Sequence, residues 1–260
     1  LEGVINKLIF LKEARRTDVD VKTAEEVVEK SVKNLSRTGD YKNISFDLRE
    51  GEILGITGLL GSGRTELALS LFGMNPPDEG EIKLEGKRLA LKSNREAIDN
   101  GIAYVSEDRL TLGLVLEQPI AANAIVTILD KLKAAFGLIP HNAREATVDR
   151  WVKDLAIKVS NTANPVKTLS GGNQQKVVLG KWLAIQPRVL FLDEPTIGLD
   201  VVAQRNIRDF IKKYNREKKT TIMLTSHYMD DIRELCNRVI IINHGRIMFD
   251  GALSTLIAQY

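Results

Sequence analysis

The chain has 260 residues, 43% hydrophobic and 27% charged, and its 37 basic and 34 acidic side chains leave a net charge of +3. This even balance gives no electrostatic reason to expect a nucleic acid or an anionic membrane as a partner. No run of eighteen apolar residues occurs, so the sequence predicts no membrane-spanning segment. The length suits one α/β domain with a subdomain. The single cysteine, Cys236, is predicted to pack on an apolar helix face and fits a reducing compartment.

The first predicted elements are strands separated by turn residues. We interpret residues 1–35 as a linker and an entering strand. Alternating apolar residues predict exposed-face strands at 44–47 and 81–84, and a Pro-Pro-Asp-Glu-Gly sequence predicts a turn at 76–80. Between these strands, the apolar segment 52–57 predicts a buried strand that leads into a glycine-rich loop.

That loop matches a phosphate-binding pattern at every position but one. The pattern G-x-x-x-x-G-K-[ST] wraps nucleotide phosphates with backbone N–H groups and places a lysine against the outer phosphates. Here Arg64 stands in place of the lysine. The helix that starts at Thr65 adds its positive end to the site. The candidate nucleotide-binding residues of the loop are Gly58, Leu59, Leu60, Gly61, Ser62, Gly63, Arg64, Thr65 and Glu66.

The middle of the chain is predicted to be mainly helical. After a buried strand at 102–105, residues 110–167 show helical periodicity with loops, including a long stretch at 123–136. A serine and two glycines then open a helix predicted to run to about Ala184. Such a helix start can hold an anion through backbone donors and the helix dipole. The candidate residues there are Ser170, Gly171, Gly172 and Asn173.

The last third returns to strands, and the first of them ends in two carboxylates. This apolar strand can deliver Asp193 to a Mg²⁺ shell and Glu194 to a water beside a γ-phosphate. Further strands are predicted at 221–225 and from Val239, with a hairpin through 244–245.

The order of glycine loop, Leu-Ser-Gly-Gly sequence and Asp-Glu strand resembles the ATP-binding-cassette (ABC) ATPases over nearly the whole chain. The resemblance implies an α/β P-loop NTPase core, in which helices flank a mixed sheet, with a helical subdomain and an antiparallel β region. It implies a linker or entering segment at 1–35, an ATP-binding core at 36–105 and 186–260, and a helical subdomain carrying the signature motif at 106–185.

The resemblance also implies cofactors and roles. Two ATP molecules with Mg²⁺ are sandwiched head-to-tail between two such domains, and each Leu-Ser-Gly-Gly signature motif serves the partner's nucleotide. Glu194 and His227 are the implied catalytic residues, and His227 contacts the γ-phosphate. Asp200 ends the short loop that crosses the dimer seam and joins the nucleotide-binding set. The implied metal ligands are Thr65, Asp193 and Glu107.

Three departures from the common family pattern resemble one branch. They are Arg64, a Ser-Glu-Asp-Arg sequence in which Glu107 replaces the usual metal-touching glutamine, and the Asn-Gln-Gln sequence after the signature glycines. Together they resemble the second ATPase half of tandem ribose-, galactose- or xylose-type sugar importers. Residues 197–251 are more similar to exporter-type ATPases, because the importer halves usually lack the histidine. The chain is either a diverged member or a joining of two lineages.

Arginine at the lysine position predicts a slow or degenerate site. Arginine is longer, planar and forked, so it cannot act as a compact point charge, and a misplacement of about 1 Å costs roughly a hundredfold in rate. We expect the chain to bind Mg-ATP and to hydrolyse it slowly or only in a suitable dimer. Tyr41 is the nearest candidate to stack on adenine, and a strand-edge aromatic is an equal interpretation.

The implied partners are a second ABC ATPase domain (a tandem half or an identical chain), transmembrane permease subunits and, indirectly, a substrate-binding protein, with no nucleic acid. The implied location is cytoplasmic, peripheral on the inner face of the cell membrane. Energy coupling for sugar import is the leading hypothesis. The alternatives are a homodimeric exporter ATPase and a non-transport ABC protein. The interval between Thr65 and Leu169 lacks the sustained heptads of DNA-repair members, and Asn173 replaces the acidic residue usual in ribosomal members.

Overall fold

The computed structural model describes residues 28–133 and 139–258. Ten strands in these ranges form a six-stranded and a four-stranded sheet. Residues 1–27 of the linker and entering strand predicted at 1–35 lie outside the described residues, as do the last predicted helical residues at 134–136. Within the described ranges, no helix has the length and hydropathy that a bilayer crossing requires.

The six-stranded sheet is mixed and carries the carboxylate strand at its interior. Its strands are β3 (Ile53–Gly58), β6 (Ile102–Val105), β7 (Val189–Asp193), β8 (Thr221–Thr225), β9 (Arg238–Asn243) and β10 (Arg246–Ala252). Their order is β10-β9-β3-β8-β7-β6. The strands from β9 to β6 run parallel, and β10 pairs antiparallel with β9 through the predicted hairpin. The carboxyl ends of β3, β8 and β7 therefore meet at one edge, where open α/β sheets bind ligands.

The smaller sheet is antiparallel and lies beside the first. Its strands are β1 (Val28–Arg37), β2 (Tyr41–Arg49), β4 (Glu79–Leu84) and β5 (Lys87–Arg88), in the order β2-β1-β4-β5. The strands predicted at 44–47 and 81–84 are confirmed as parts of β2 and β4. Since β4 begins at Glu79, the last two residues of the turn predicted at 76–80 belong to the strand instead. β1 crosses the domain boundary predicted at residue 35, and the predicted domain division as a whole stays a prediction.

Helices flank the six-stranded sheet and fill the middle of the chain. In the described part they are α1 (Arg64–Leu71), α2 (Asn94–Asp99), α3 (Ile120–Ile125), α4 (Leu129–Leu132), α5 (His141–Asp154), α6 (Gly171–Leu183), α7 (Val201–Lys218), α8 (Met229–Leu235) and α9 (Leu253–Ala258). The helix predicted to end near Ala184 is α6, which has Ala184 as its C-terminal cap.

Two local predictions are wrong. The stretch predicted at 123–136 is broken within the described residues, because α3 ends at Ile125 and a 3₁₀ turn at Val126–Ile128 precedes the four-residue α4. Residues 125–128 are all β-branched, which restricts χ1 and weakens helix propensity at this point. Cys236 is buried, as expected, but as the C-terminal cap of α8 and not on a helix face.

The core has two parts, one on each face of the six-stranded sheet. Along β7, Leu190 and Leu192 belong to the cluster formed with α6, α7 and α8, whereas Val189 and Phe191 belong to the cluster formed with α1 and the smaller sheet. This alternation follows from the two-residue period of a strand. Both faces of the sheet are therefore covered, as is usual for parallel strands.

A lysine lies inside the second cluster. Lys30 in β1 is 1% exposed, and its Nζ donates a hydrogen bond to the Leu71 carbonyl oxygen at 3.1 Å. The ammonium also lies 4.7 Å from the centroid of the Phe191 ring. Burial lowers the pKa of Lys30 to about 7. This side chain thus joins β1 and β7 to the end of α1, the helix that follows the glycine loop.

Candidate nucleotide-binding site

The glycine loop lies between β3 and α1, at the carboxyl edge of the sheet. Gly63 caps the N-terminus of α1 with φ of 95°, and a Cβ there would lie 2.7 Å from the Asp40 carbonyl oxygen, so a larger residue does not fit. Gly245 in the β9–β10 turn donates its N–H to the Ser62 carbonyl oxygen at 3.0 Å. The Ser62 hydroxyl is buried with no hydrogen-bond partner among the described atoms, which fits a cradle for phosphate oxygens.

The other loop candidates surround this cradle. Gly58 ends β3, Leu59, Leu60 and Gly61 form the turn, and Glu66 lies in the first turn of α1. Leu60 at the tip of the turn is 94% exposed. The loop thus has a buried base, which β9 and β10 support, and an exposed apolar tip.

Arg64 does not lie along the loop where the pattern expects a cation. Its side chain is buried, and Nη1 lies 3.1 Å from Oε1 of Glu194. The arginine is thus paired with the carboxylate that follows β7. A buried ion pair of this kind is costly to break one partner at a time, because the remaining charge is left without compensation.

Glu194 is surrounded by hydrogen-bond donors. It is buried and has a positive φ of 47°. The backbone N–H of His227 donates to both carboxylate oxygens at 3.0 and 3.1 Å, and His227 Nδ1 lies 2.9 Å from Oε2. The Ser226 hydroxyl donates to Oε2 at 3.3 Å. Together with Arg64, these donors fill the acceptor capacity of the carboxylate when the Ser226 proton points to it. A water would then bind Glu194 only in place of one of them.

Asp193 is held by three hydroxyl groups. Thr65 Oγ1 donates to Oδ1 at 3.2 Å, Tyr104 donates to Oδ2 at 2.7 Å, and Thr225 Oγ1 also donates to Oδ1. Burial and the neighbouring Asp193 charge raise the pKa of Tyr104, so its phenol stays a donor. A hydroxyl beside a carboxylate supplies the hard oxygen ligands that Mg²⁺ prefers.

Glu107 lines the same cavity as Thr65 and Asp193, which has a volume of about 480 Å³. Burial, followed by the charges of Asp193 and Glu194, raises the pKa of Glu107. In the part of the chain that the structure describes, no three Asp, Glu, His or Cys side chains form a ready metal cage. Thr65, Asp193 and Glu107 therefore offer a few oxygen ligands and not a complete cage. This arrangement fits Mg²⁺, which is usually bound by one or two carboxylates together with substrate phosphates.

The signature residues lie elsewhere. None of the residues that line the cavity comes from 170–173. Ser170 caps the N-terminus of α6, and its hydroxyl accepts a hydrogen bond from Asn173 Nδ2 at 3.1 Å. Asn173 Oδ1 accepts the N–H of Lys158 at 3.0 Å. With Gly171 and Gly172 in its first turn, α6 presents a helix start that its own side chains do not cover.

Asp200 is likewise apart from the cavity. Its side chain caps α7 by accepting the N–H of Ala203 at 2.9 Å. The loop before it is tied back by Arg109, whose Nη1 donates to the Ile197 carbonyl oxygen at 3.1 Å. Arg109 also passes Gly171, where a Cβ would lie 3.1 Å from its Nη2. One side chain thus contacts both the loop before Asp200 and the signature helix.

Sequence reasoning missed several side chains of this site. Tyr104, Thr225 and Ser226 were visible only as members of predicted strands or their ends. The only sequence signal for any of them was that Ser226 directly precedes His227, a predicted site residue. The interpretation of Tyr41 as a residue that stacks on adenine is wrong, because its side chain is buried in the core.

The geometry of a glycine loop, an acidic strand and a separate signature helix agrees with a comparison of the sequence with family models. The model described as "ABC transporter" matches residues 41–197, more than half of the chain. The chain belongs to this family. The prediction of an ABC ATP-binding domain is therefore confirmed.

Relatives of this ABC domain are named as sugar-import proteins. It is 41% identical to a ribose import ATP-binding protein, RbsA, of Geobacillus kaustophilus over 216 residues, which cover 83% of the chain and 43% of that protein. It is also 41% identical to a putative ribose/galactose/methyl galactoside import ATP-binding protein of Agrobacterium fabrum over 225 residues, or 86% of the chain and 44% of that protein. The chain spans less than half the length of these relatives. The exporter-type interpretation of residues 197–251 stays a prediction.

Solved structures show the same fold. One is a dimeric post-hydrolysis state of the ATP-binding cassette MJ0796 bound to ADP and Pi, with a TM-score of 0.75, 22% identity and coverage of 86% of this chain and 98% of that one. Another is cbiO1 from Clostridium perfringens, part of the ABC transporter complex cbiONQ, with a TM-score of 0.71, 23% identity and coverage of 90% and 92%. The predicted ABC ATPase fold with a mixed and an antiparallel sheet is confirmed.

Proposed function

We propose that this ABC domain is an ATP-binding subunit or half-subunit of a sugar importer, which couples ATP binding and slow hydrolysis to transport and is most similar in type to the second half of ribose and galactose systems. The observation that carries the proposal is the meeting of Thr65, Asp193 and Glu194 beneath the glycine loop, with Thr65 Oγ1 3.2 Å from Asp193 Oδ1. The names of the relatives support sugar import as the process.

The residues divide the work of hydrolysis. The loop N–H groups and the start of α1 hold the phosphates. Thr65 and Asp193, with Glu107 lining the same cavity, would hold Mg²⁺, which neutralises phosphate charge when bound. Glu194 orients the attacking water, and His227 contacts the terminal phosphate.

Arg64 and His227 make the resting site a closed one. Both contact Glu194, so the carboxylate must give up a donor before it can accept a hydrogen bond from water. Arg64 must in turn leave a buried carboxylate if its charge is to serve the nucleotide. These two exchanges support a slow site that depends on a second ATPase domain for full activity.

The signature residues and Asp200 serve that second domain. Ser170, Gly171, Gly172 and Asn173 hold the phosphates of the partner's nucleotide in a head-to-tail pair, and Asp200 lies at the seam. The pair couples hydrolysis to permease subunits at the inner face of the cell membrane, and indirectly to a substrate-binding protein, with no role for nucleic acid.

A homodimeric exporter ATPase is the second candidate function. The contact of His227 with Glu194 favours it, because sugar-importer second halves usually lack this histidine. An importer half requires an asymmetric partner, whereas an exporter ATPase turns over as a pair of identical chains.

The test is Mg-ATP binding and hydrolysis by the purified chain and by Arg64→Lys and Glu194→Gln. We expect the parent to bind Mg-ATP and turn over slowly, Arg64→Lys to be faster by about tenfold or more, and Glu194→Gln to be silent. The matched control is Arg95→Lys on the surface, which should change nothing. A parent that binds no nucleotide contradicts the proposal. A parent as fast as Arg64→Lys contradicts the slow site and favours the exporter homodimer.

A further inference from the structure

A third buried carboxylate, besides Asp193 and Glu194, lies behind the proposed site. Asp231 belongs to α8 and is 0% exposed. It does not line the cavity that contains Thr65 and Asp193. A carboxylate this deep is retained only where its charge and its lone pairs are compensated.

Three elements compensate it. Arg208 in α7 donates from Nη1 to Asp231 Oδ1 at 3.0 Å. Thr196, in the loop after β7, donates from Oγ1 to Oδ2 at 2.6 Å. Ser226, directly after β8, also donates to Oδ2, at 3.1 Å. One carboxylate thus binds the loop that carries Glu194, the loop that carries His227, and the helix that begins beyond Asp200.

Ser226 connects this carboxylate to Glu194. Its Oγ lies 3.1 Å from Asp231 Oδ2 and 3.3 Å from Glu194 Oε2. A hydroxyl has one proton to donate, so Ser226 serves one carboxylate at a time. Its oxygen also accepts the N–H of Tyr228 at 3.0 Å, which fixes its place. The position of Asp231 therefore decides where the Ser226 oxygen stands beside Glu194.

The connection also reaches the proposed dimer seam. α7 begins directly after Asp200. In its first turns, Gln204 Nε2 donates a hydrogen bond to the Thr196 carbonyl oxygen at 3.4 Å. Arg208 is one turn further along the same face. A shift of α7 caused by a partner at the seam would thus be transmitted through a buried ion pair.

We propose that Asp231 is a positioning residue, which holds the Glu194 loop, the Ser226–His227 loop and α7 in one arrangement and thereby aims Glu194 at the attacking water. The inference rests on the proposed function, because Glu194 has a water to orient only in an ATPase. Asp231 itself is fully buried and does not line the cavity.

The test compares substitutions that leave the Arg208–Asp231 ion pair in place. Thr196→Val keeps the shape of the side chain and removes the hydroxyl, whereas Thr196→Ser keeps the hydroxyl and alters the shape. Ser226→Ala removes the second hydroxyl. Each is made in the parent and in the Arg64→Lys background, and kcat, the KM for Mg-ATP, the Kd of a fluorescent ATP analogue and the Tm are measured.

We expect Ser226→Ala and Thr196→Val to lower kcat by about tenfold or more while Kd stays within about threefold. Thr196→Ser should retain the parent kcat, because the hydroxyl suffices. Asp231→Asn leaves Arg208 paired with Glu234 alone, whose Oε1 lies 3.3 Å from Nε, and it should lower kcat as Ser226→Ala does. The double variant Asp231→Asn/Ser226→Ala should be no slower than Asp231→Asn alone, since both changes break one connection.

The control is Thr220→Val, a buried hydroxyl that bonds the Pro187 carbonyl oxygen at 3.3 Å at the opposite end of β8. It should lower the Tm as Thr196→Val does and leave kcat unchanged. If the chain is active and neither Ser226→Ala nor Thr196→Val changes kcat, the inference is wrong and the proposed function stands. The same holds if kcat falls in proportion to the Tm in every variant, including Thr220→Val. A chain silent in both backgrounds overturns the proposed function, and the inference with it.

Discussion

Two regions of the molecule carry the predicted function, and they are built in opposite ways. In the acidic edge, which comprises Asp193, Glu194 and the side chains bonded to them, the functional groups are buried and have partners from their own chain. In the signature end, which comprises residues 170–173 and Asp200, no side chain caps the start of α6, and Asp200 caps only its own helix, α7. Val201 and Val202 beside Asp200 are 77% and 70% exposed. The contrast fits the proposal that the acidic edge serves hydrolysis within the chain and the signature end serves a second ATPase domain.

The largest expected effect lies in the acidic edge. Asp193→Asn removes the charge that faces Thr65 and leaves three hydroxyl donors competing for a single amide oxygen. We expect hydrolysis to fall by about a hundredfold or more, the scale for loss of one preorganised electrostatic group. Hydrolysis rates across a Mg²⁺ titration measure it. If Asp200→Asn, the matched change in the signature end, costs the chain's own site as much, the contrast between the regions is wrong.

The buried charge beneath the loop helix should be visible in the pH dependence of stability. Burial depresses the folded-state pKa of Lys30 to about 7 from an ordinary 10.5. The unfolded chain then binds more protons between these values, so this group makes stability rise with pH from about 7 to 10.5 and costs most below 7. Lys30→Met should be more stable than the parent by about 2 kcal/mol at pH 6, with a gap that narrows as pH rises.

Denaturant unfolding at pH 6, 8 and 9.5 measures that gap. The exposed Lys133→Met is the control. It removes a surface ion pair with Asp130, so its small gap should be the same at all three pH values. A constant difference between Lys30→Met and the parent across the three pH values would show that Lys30 is charged throughout, and that its bond to Leu71 outweighs burial.

A substitution in the signature end should be repaired by another chain. Gly171→Ala places a Cβ 3.1 Å from Arg109 Nη2, so we expect the steady-state rate to fall by about tenfold with the chain's own nucleotide affinity unchanged. In a head-to-tail pair, Gly171→Ala mixed with Glu194→Gln regains one intact site in each mixed dimer, about a quarter of the parent rate for identical chains. Rates measured on the mixture decide this. No recovery, with the parent active, indicates that identical chains do not pair in this way.

The smallest effect concerns the cap at the seam. Asp200 accepts the Ala203 N–H at the start of α7. Asp200→Asn should leave the Tm unchanged, because asparagine caps as well as aspartate, whereas Asp200→Ala should cost about 1 kcal/mol. Thermal melts of both variants measure it. A Tm that falls equally in both would indicate that the charge at Asp200, and not its capping bond, holds the loop.

The parts predicted from the sequence are those specified by contiguous residues. The glycine loop, the strand ending in Asp193 and Glu194, and the helix opening at Gly171 each follow from a short local pattern. The pairing of Arg64 with Glu194 depends on two loops 130 residues apart being brought to one edge by the strand order. No local pattern contains that order, so the direction of the arginine could not be predicted.

The same reason hid the partners behind the site. Tyr104 and Asp231 look like ordinary members of a strand and a helix, and their roles arise only when β6 lies beside β7 and α8 packs against α7 and β3. The break in the stretch predicted at 123–136 is different, because its β-branched residues were visible. The prediction of a helix there followed the apolar periodicity, although these β-branched residues have low helix propensity.

The hydrogen bond from Gly245 to Ser62 has a consequence for how the protein is made. The strand that leads into the glycine loop, β3, has as its two neighbours β8 and β9, both from the last forty residues. On the ribosome, a loop translated near residue 60 must wait until the turn at residue 245 has emerged before its strand is flanked and its base is held. Such distant pairings close late and slowly. Nucleotide binding would therefore report that synthesis has passed this turn, and a chain stalled before it would expose an unpaired apolar strand to chaperones.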